Sequence, residues 1–134
     1  MKSTLIIFSS TDGQTLKICQ RMMKFEKNKI DSQIVSISEA KKIDISQFQR
    51  IIIGASIRYG KHKPDLYEFI ESNLDEISKK ENAFFSVNVV ARKPEKNMPE
   101  TNPYMKKFLL KTPWKPKLLY VFAGKIDYPK YNFI

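Results

Sequence analysis

The sequence predicts an α/β fold, a doubly wound parallel sheet of five strands with helices on both faces. Three observations predict it. Short unbroken apolar runs alternate along the chain with segments of helical periodicity. Ile51-Ile52-Ile53 sets three β-branched residues in a row, as in strands buried on both faces. The length of 134 residues suits one domain.

Leu5 to Phe8 is an apolar run that stops at Ser9-Ser10-Thr11-Asp12-Gly13, so it reads as a short buried strand ending in a turn. Gln14 to Lys27 follows as an amphipathic helix. Ile18, Cys19, Met22, Met23 and Phe25 lie on one side of it and Lys17, Arg21, Lys24 and Lys27 on much of the other. Ser32 to Ile37 suits a second strand, and Ser38 to Gln49 a polar connection with at most one helical turn. The third strand is built on Ile51-Ile52-Ile53 and ends at Gly54-Ala55-Ser56. Pro64 can open the next helix, in which Leu66, Phe69, Ile70, Leu74 and Ile77 recur at helical spacing. Ala83 to Val90 is the fourth strand. Arg92 to Pro103, with its prolines and charges, is loop; Tyr104 to Leu110 is a short helix; Leu118 to Ala123 is the fifth strand. The aromatic-rich Gly124–Ile134 segment is expected to lack a closing helix, which would leave one sheet face uncovered.

Composition narrows the classes. A hydrophobic share of 42% with 28% charged residues supports a packed core and excludes disorder, collagen and coiled coil. No apolar run approaches a membrane span, and Leu5 to Phe8 is too short for a secretory leader. A single cysteine, Cys19, excludes a disulfide framework, fits a reducing compartment and is expected in the core. The net charge is +10 and uneven: residues 1–90 hold 14 basic and 11 acidic side chains, residues 91–134 hold 10 and 3. That excess points to an anionic partner or to a solvated lysine-rich surface. Nucleic acid is not the expected partner, because no RRM, zinc or helix-turn-helix signature accompanies the charge.

In an open parallel sheet, ligands bind beyond the carboxyl ends of the strands. Three segments fall there. Ser9 to Thr15 offers hydroxyls and backbone amides at a helix N-terminus, suited to a phosphate monoester. It lacks the GxGxxG and Walker lysine of dinucleotide and nucleoside-triphosphate sites. Ordinary capping by Thr11 or Asp12 explains the same residues equally well. Ser56 to Lys61 carries Tyr59, able to stack on a planar ring, or else an exposed turn residue; His62 reads as a solvated loop residue with no triad around it. No metal ligand set is visible. Asn88 to Lys96 opens a long loop whose Arg92, Lys93 and Lys96 suit carboxylates or phospholipid headgroups, or simply solvent.

These segments carry a resemblance. Ser10-Thr11-Asp12-Gly13-Gln14-Thr15 resembles the FMN phosphate loop of flavodoxin-like proteins. Gly54-Ala55-Ser56-Ile57-Arg58-Tyr59-Gly60 and the segment Phe85 to Lys96 together resemble the bacterial flavodoxin-type, quinone-dependent protoporphyrinogen IX dehydrogenases. Thr101-Asn102, Lys107-Phe108-Leu109, Trp114 and Tyr128-Pro129 extend the match over essentially the whole chain. The resemblance implies one flavodoxin-like FMN-binding domain over residues 1–134, C-terminally short, with strand order 2-1-3-4-5. It implies that Ser10, Thr11, Asp12, Gly13, Gln14 and Thr15 hold the FMN phosphate. Ser56, Ile57, Arg58, Tyr59 and Gly60, with Asn88, Val89, Val90, Ala91 and Arg92, would flank the isoalloxazine. It implies oxidation of protoporphyrinogen IX to protoporphyrin IX in haem synthesis, with electrons passed to menaquinone or ubiquinone. No catalytic triad is expected, because the flavin carries the chemistry. Arg92, Lys93 and Lys96 would meet the substrate's propionates or an anionic inner-membrane surface, on which a cytoplasmic protein would sit peripherally. A homo-oligomer is compatible with all of this. A flavodoxin-like electron carrier, or a truncated inactive remnant, is the alternative; the basic charge argues against the carrier.

Overall fold

The computed structural model describes residues 2–10 and 13–123. Within them a five-stranded parallel sheet forms in the order β2-β1-β3-β4-β5. The strands are β1 (Lys2–Ser9), β2 (Gln33–Ser36), β3 (Phe48–Ser56), β4 (Glu81–Val87) and β5 (Leu118–Phe122). The helices are α1 (Gln14–Met23), α2 (Ile37–Ala40), α3 (Pro64–Ser72), α4 (Leu74–Ser78) and α5 (Pro103–Lys111).

Alternation along each strand sorts its side chains between two cores. Leu5, Ile7, Ile51, Ile53 and Phe84 face the larger one, where Leu66, Ile70, Met105 and Trp114 complete the packing. Its centre is aromatic. The Phe84 and Phe108 rings stack 3.8 Å apart, and Trp114 meets both edge-on. Ile6, Phe85, Val87 and Phe122 face the other side, covered by Ile18 and Cys19 of α1. Register lines these layers up: Ile53 pairs with Ile7 on one side and Phe84 on the other.

Local chemistry sets the element ends. Ser36 and Glu39 form a reciprocal capping box that starts α2; with the 3₁₀ turn at Ile45–Gln47 the connection holds two helical turns where at most one was expected. Pro64 and Pro103 occupy the first positions of α3 and α5. Several boundaries differ from the sequence reading: Ile37 opens α2 rather than ending β2, and the helix from Pro64 divides at Asn73 into α3 and α4. α1 ends at Met23 rather than Lys27, because the chain tightens into i→i+3 hydrogen bonds at Lys24, Phe25 and Glu26. β4 ends at Val87, and Val89 and Val90 enter a 3₁₀ turn at Val89–Arg92 instead of continuing the strand.

On the α1 side, an open groove of about 570 Å³ runs over Ile52, Ala83, Leu118, Tyr120 and Phe122 beside Met22 and Phe25. Among the described residues α1 alone supplies helix to this face. The expected aromatic tail, Gly124–Ile134, and the closing-helix question lie outside the described residues.

Gly54 is fixed by its neighbour in register, Phe85, whose ring lies across it. A Cβ built at Gly54 would sit 1.9 Å from the Phe85 ring carbon Cζ. Because Phe85 is fully buried, the ring cannot simply withdraw. Gly54→Ala is expected to destabilise the fold by about 1–3 kcal/mol, the range for overpacking a tight core. Urea denaturation checks this, and Phe85→Leu in the same chain should recover part of the loss.

Candidate functional site

Parallel pairing delivers the ends of β1, β3 and β4 to one edge. The first connection runs from Ser9 to α1. Gly13 is the N-cap of α1 and supplies no side-chain hydrogen bond, and the first turn has no acidic residue. The backbone amides of its first turn lie at the positive end of the helix dipole. Thr15 is fully buried beside that opening, and its Oγ1 has no hydrogen-bond partner among the described residues. A buried hydroxyl without a partner is costly, and an anion at the helix start would satisfy it. Gly13 holds the cap position of α1, and the expected capping residues Thr11 and Asp12 lie outside the described residues. Ser10 and Gln14 flank the opening, and Ser56 Oγ donates to Ser10 Oγ at 3.2 Å, tying the first connection to the second. Ser9 Oγ donates to the Asp65 carboxylate of α3 at 3.1 Å.

The second connection is a two-residue hairpin. Arg58 and Lys61 exchange both backbone hydrogen bonds, while Tyr59 (φ 52°) and Gly60 (φ 77°) turn the corner in the left-handed region. Glycine adopts such a conformation freely; for tyrosine it costs about 1 kcal/mol or more. The strained turn holds the Tyr59 ring 87% exposed, with the Arg58 guanidinium 5.1 Å from its centroid. Ile57 N donates to Val87 O, continuing the sheet into this loop.

The third connection starts at Asn88, whose N–H donates to Phe122 O of β5 at 2.9 Å. Two 3₁₀ turns follow, Val89–Arg92 and Pro94–Lys96. Val89 is 68% exposed, Val90 half-buried, and Ala91 is packed into the larger core. Arg92 and Lys93 face solvent, and Lys96 is half-buried. The Asn88 amide turns inward and pairs reciprocally with that of Asn102, the N-cap of α5. Beneath it His62 Nε2 lies 2.9 Å from Ser86 Oγ, and the imidazole sits edge-on to both Phe84 and Phe108, at 5.8 Å from each.

This arrangement agrees with comparisons to known proteins. A family model described as a flavodoxin domain matches residues 5–134. The Escherichia coli (strain K12) protein named protoporphyrinogen IX dehydrogenase (quinone) is 37% identical over 131 residues, which cover 97% of this chain and 72% of that protein. The chain belongs to the flavodoxin-type protoporphyrinogen IX dehydrogenase family. A Leishmania major protein of the same name is also 37% identical, with 96% of this chain covering 57% of it. Solved structures support the fold alone. An archaeal flavodoxin aligns with a TM-score of 0.56 at 16% identity, covering 95% of this chain and 87% of that one. Flavodoxin 1 from Bacillus cereus aligns at 0.55 and 17%, covering 96% and 88%.

The three segments expected at strand ends lie together at one edge of the sheet. Ser10, Gly13, Gln14 and Thr15 stand at the α1 opening; Ser56 to Gly60 and Asn88 to Arg92 stand on the neighbouring strand ends. The expectation that fails is His62. It is 3% exposed, not solvated, because Phe84 of β4 and Phe108 of α5 close over it. Ser86 and Asn102 were quoted only as part of a matching string, with no role; both are fully buried members of the polar layer under the site. Asn102 had a local signal, a capping asparagine directly before Pro103. His62 and Ser86 had none. Cys19 is in the core as expected, and burial pushes its thiol up to about 12.

Burial, aided by the Lys111 ammonium, pushes the His62 imidazole from its ordinary 6.5 down to about 4. The unfolded chain therefore binds a proton between these values that the folded chain refuses. This contribution to stability is complete above pH 6.5 and is lost as pH falls toward 4. Between pH 7.5 and 4.5 the folded protein is expected to lose about 2–3 kcal/mol through this group. Denaturant titrations of the unmodified chain and of His62→Phe at both pH values measure it, as a shallower pH dependence in the variant.

Proposed function

We propose that the chain binds FMN along this edge and oxidises protoporphyrinogen IX with it, passing the electrons to a membrane quinone, menaquinone or ubiquinone. The observation that carries the reading is the buried Thr15 hydroxyl, without a hydrogen-bond partner among the described residues, beside the N-terminus of α1, where the cap residue Gly13 offers no side chain. A phosphate monoester satisfies that hydroxyl and the helix amides together. Ser10, Gly13, Gln14 and Thr15, with Thr11 and Asp12, would hold it.

The hairpin and the loop after β4 take the ring. Tyr59, held outward by its turn, offers a stacking face beside Ser56, Ile57, Arg58 and Gly60. Val89, Val90, Ala91 and Arg92 supply the opposite wall, and Asn88 shapes that wall from beneath through its bond to Asn102. Bound FMN supplies the two-electron redox chemistry that amino-acid side chains lack. The protein contributes binding and orientation. Its interior polar groups at the site are neutral amides and hydroxyls, and the buried His62 is not exposed to act on substrate. The rim is cationic. Arg92, Lys93 and Lys96 suit the two propionates of a porphyrinogen and the anionic surface in which a quinone resides. The exposed Val89 and Met98 stand beside them as apolar contacts for that surface. Among the described residues no helix is long and apolar enough to cross a membrane, so the proposed association is peripheral, from the cytoplasmic side of the inner membrane.

The first test is the visible spectrum of the purified chain after FMN addition and removal of free flavin, followed by porphyrinogen oxidation with a quinone acceptor. Retained flavin bands and quinone-dependent turnover are expected; a cooperatively folded chain that retains no flavin would overturn the reading. Thr15→Val sharpens the test. It removes an unsatisfied buried hydroxyl from the free protein, so stability without FMN should stay equal or rise. FMN affinity should fall about tenfold or more, the scale of one lost charge-assisted hydrogen bond. Denaturant titration and flavin-fluorescence titration read the two effects separately.

A further inference from the structure

Beneath the site, a chain of buried hydrogen bonds joins the loop after β3 to the loop after β4. Asn88 Nδ2 donates to Ser86 Oγ at 3.1 Å and to Asn102 Oδ1 at 3.2 Å. Asn102 Nδ2 donates back to Asn88 Oδ1 and to Lys96 O, both at 2.9 Å. Asn102 Oδ1 also accepts from the amides of Tyr104 and Met105, so the same side chain starts α5. Both hydrogens of each amide are therefore committed. Ser86 Oγ already accepts from Asn88, and His62 Nε2 at 2.9 Å is the acceptor within reach of its own proton. The assignment that gives each of these hydrogen bonds one donor and one acceptor runs from Asn88 through Ser86 to the Nε2 lone pair, with the imidazole proton on Nδ1.

Position gives this chain its meaning. His62 directly follows the Arg58–Lys61 hairpin, and Asn88 is the first residue after β4. All four side chains are buried, so none can trade its partner for water without opening the structure. We propose that His62 and Ser86 are positioning residues which, acting through Asn88 and Asn102, hold the Ser56–Gly60 and Asn88–Arg92 loops at the separation that admits a flavin ring between them. This rests on the FMN site proposed above. Neither residue touches the ring; both act through the loops. Removing the Ser86 hydroxyl leaves one Asn88 hydrogen and the His62 nitrogen without partners at once, so the two loops loosen together. A purely local packing role for either residue would loosen one.

Four variants test it: Ser86→Ala, His62→Phe, the double variant, and His62→Gln, whose amide oxygen can accept the same hydroxyl. FMN dissociation constants come from flavin-fluorescence quenching. Backbone hydrogen exchange without FMN follows residues 57–62 and 88–97. Each of the first two variants is expected to weaken FMN binding about tenfold, with the double variant about equal to either single one because they break the same chain. His62→Gln should stay within about threefold of the unmodified chain, since it keeps an acceptor in place. Exchange should quicken in both loops together in Ser86→Ala and His62→Phe, while β1 and β3 stay protected. Unchanged FMN affinity in both single variants, multiplicative losses in the double variant, or exchange rising in only one loop would each overturn the proposal. An unmodified chain that binds no FMN would overturn the cofactor site, and this role with it; an unmodified chain that binds FMN alongside unaffected variants would overturn this role alone.

Discussion

Five strands running in one direction put every strand-to-helix connection at the same edge of the sheet, and the candidate site is made of those connections. The constraint begins with burial. Runs such as Leu5 to Phe8 and Ile51 to Ile53 present apolar side chains to both faces, so each strand needs cover above and below, and only crossover connections supply it. Ser10 and Ser56 then meet at 3.2 Å though 46 positions apart. Their contact reflects the sheet more than any local preference.

Elements defined by composition over several residues were legible in the sequence. The apolar runs became strands and Pro64 opens a helix as expected, while α5 begins at Pro103, one residue inside the segment read as loop. The β4 boundary was not legible. Valine favours strands on average, yet Val89 sits in a 3₁₀ turn with its side chain in solvent, because the chain must leave the sheet at Asn88 to reach α5. His62 shows the same limit at a single residue. Its burial is decided by Phe84 and Phe108, which are close in space and distant in sequence. Nothing within a window around His62 carries that information. For the candidate site, the three segments were legible as strand-end loops. The burial of the Thr15 hydroxyl without a partner among the described residues was not, because it depends on how distant segments pack around it.

Charge is distributed by depth. Arg58, Arg92 and Lys93 stay on the rim, where water solvates them. The layer below uses amides, hydroxyls and a neutral imidazole. Burying an unpaired charge there would cost far more than burying a neutral group that keeps its hydrogen bonds. The first turn of α1 carries no acidic residue, so none within that turn opposes an anion drawn by the helix dipole.

Cys19 bears on the chemical durability of the protein. Its sulfur is enclosed by the core on the α1 side and keeps its proton to about pH 12. Peroxides and disulfides react with thiolates, and at neutral pH this residue offers almost none. The lone sulfhydryl can thus sit one turn along α1 from Thr15, where the FMN phosphate is proposed to bind, and remain a spectator. It ages as a methyl group would, and the chain needs no thiol-repair partner to keep it so.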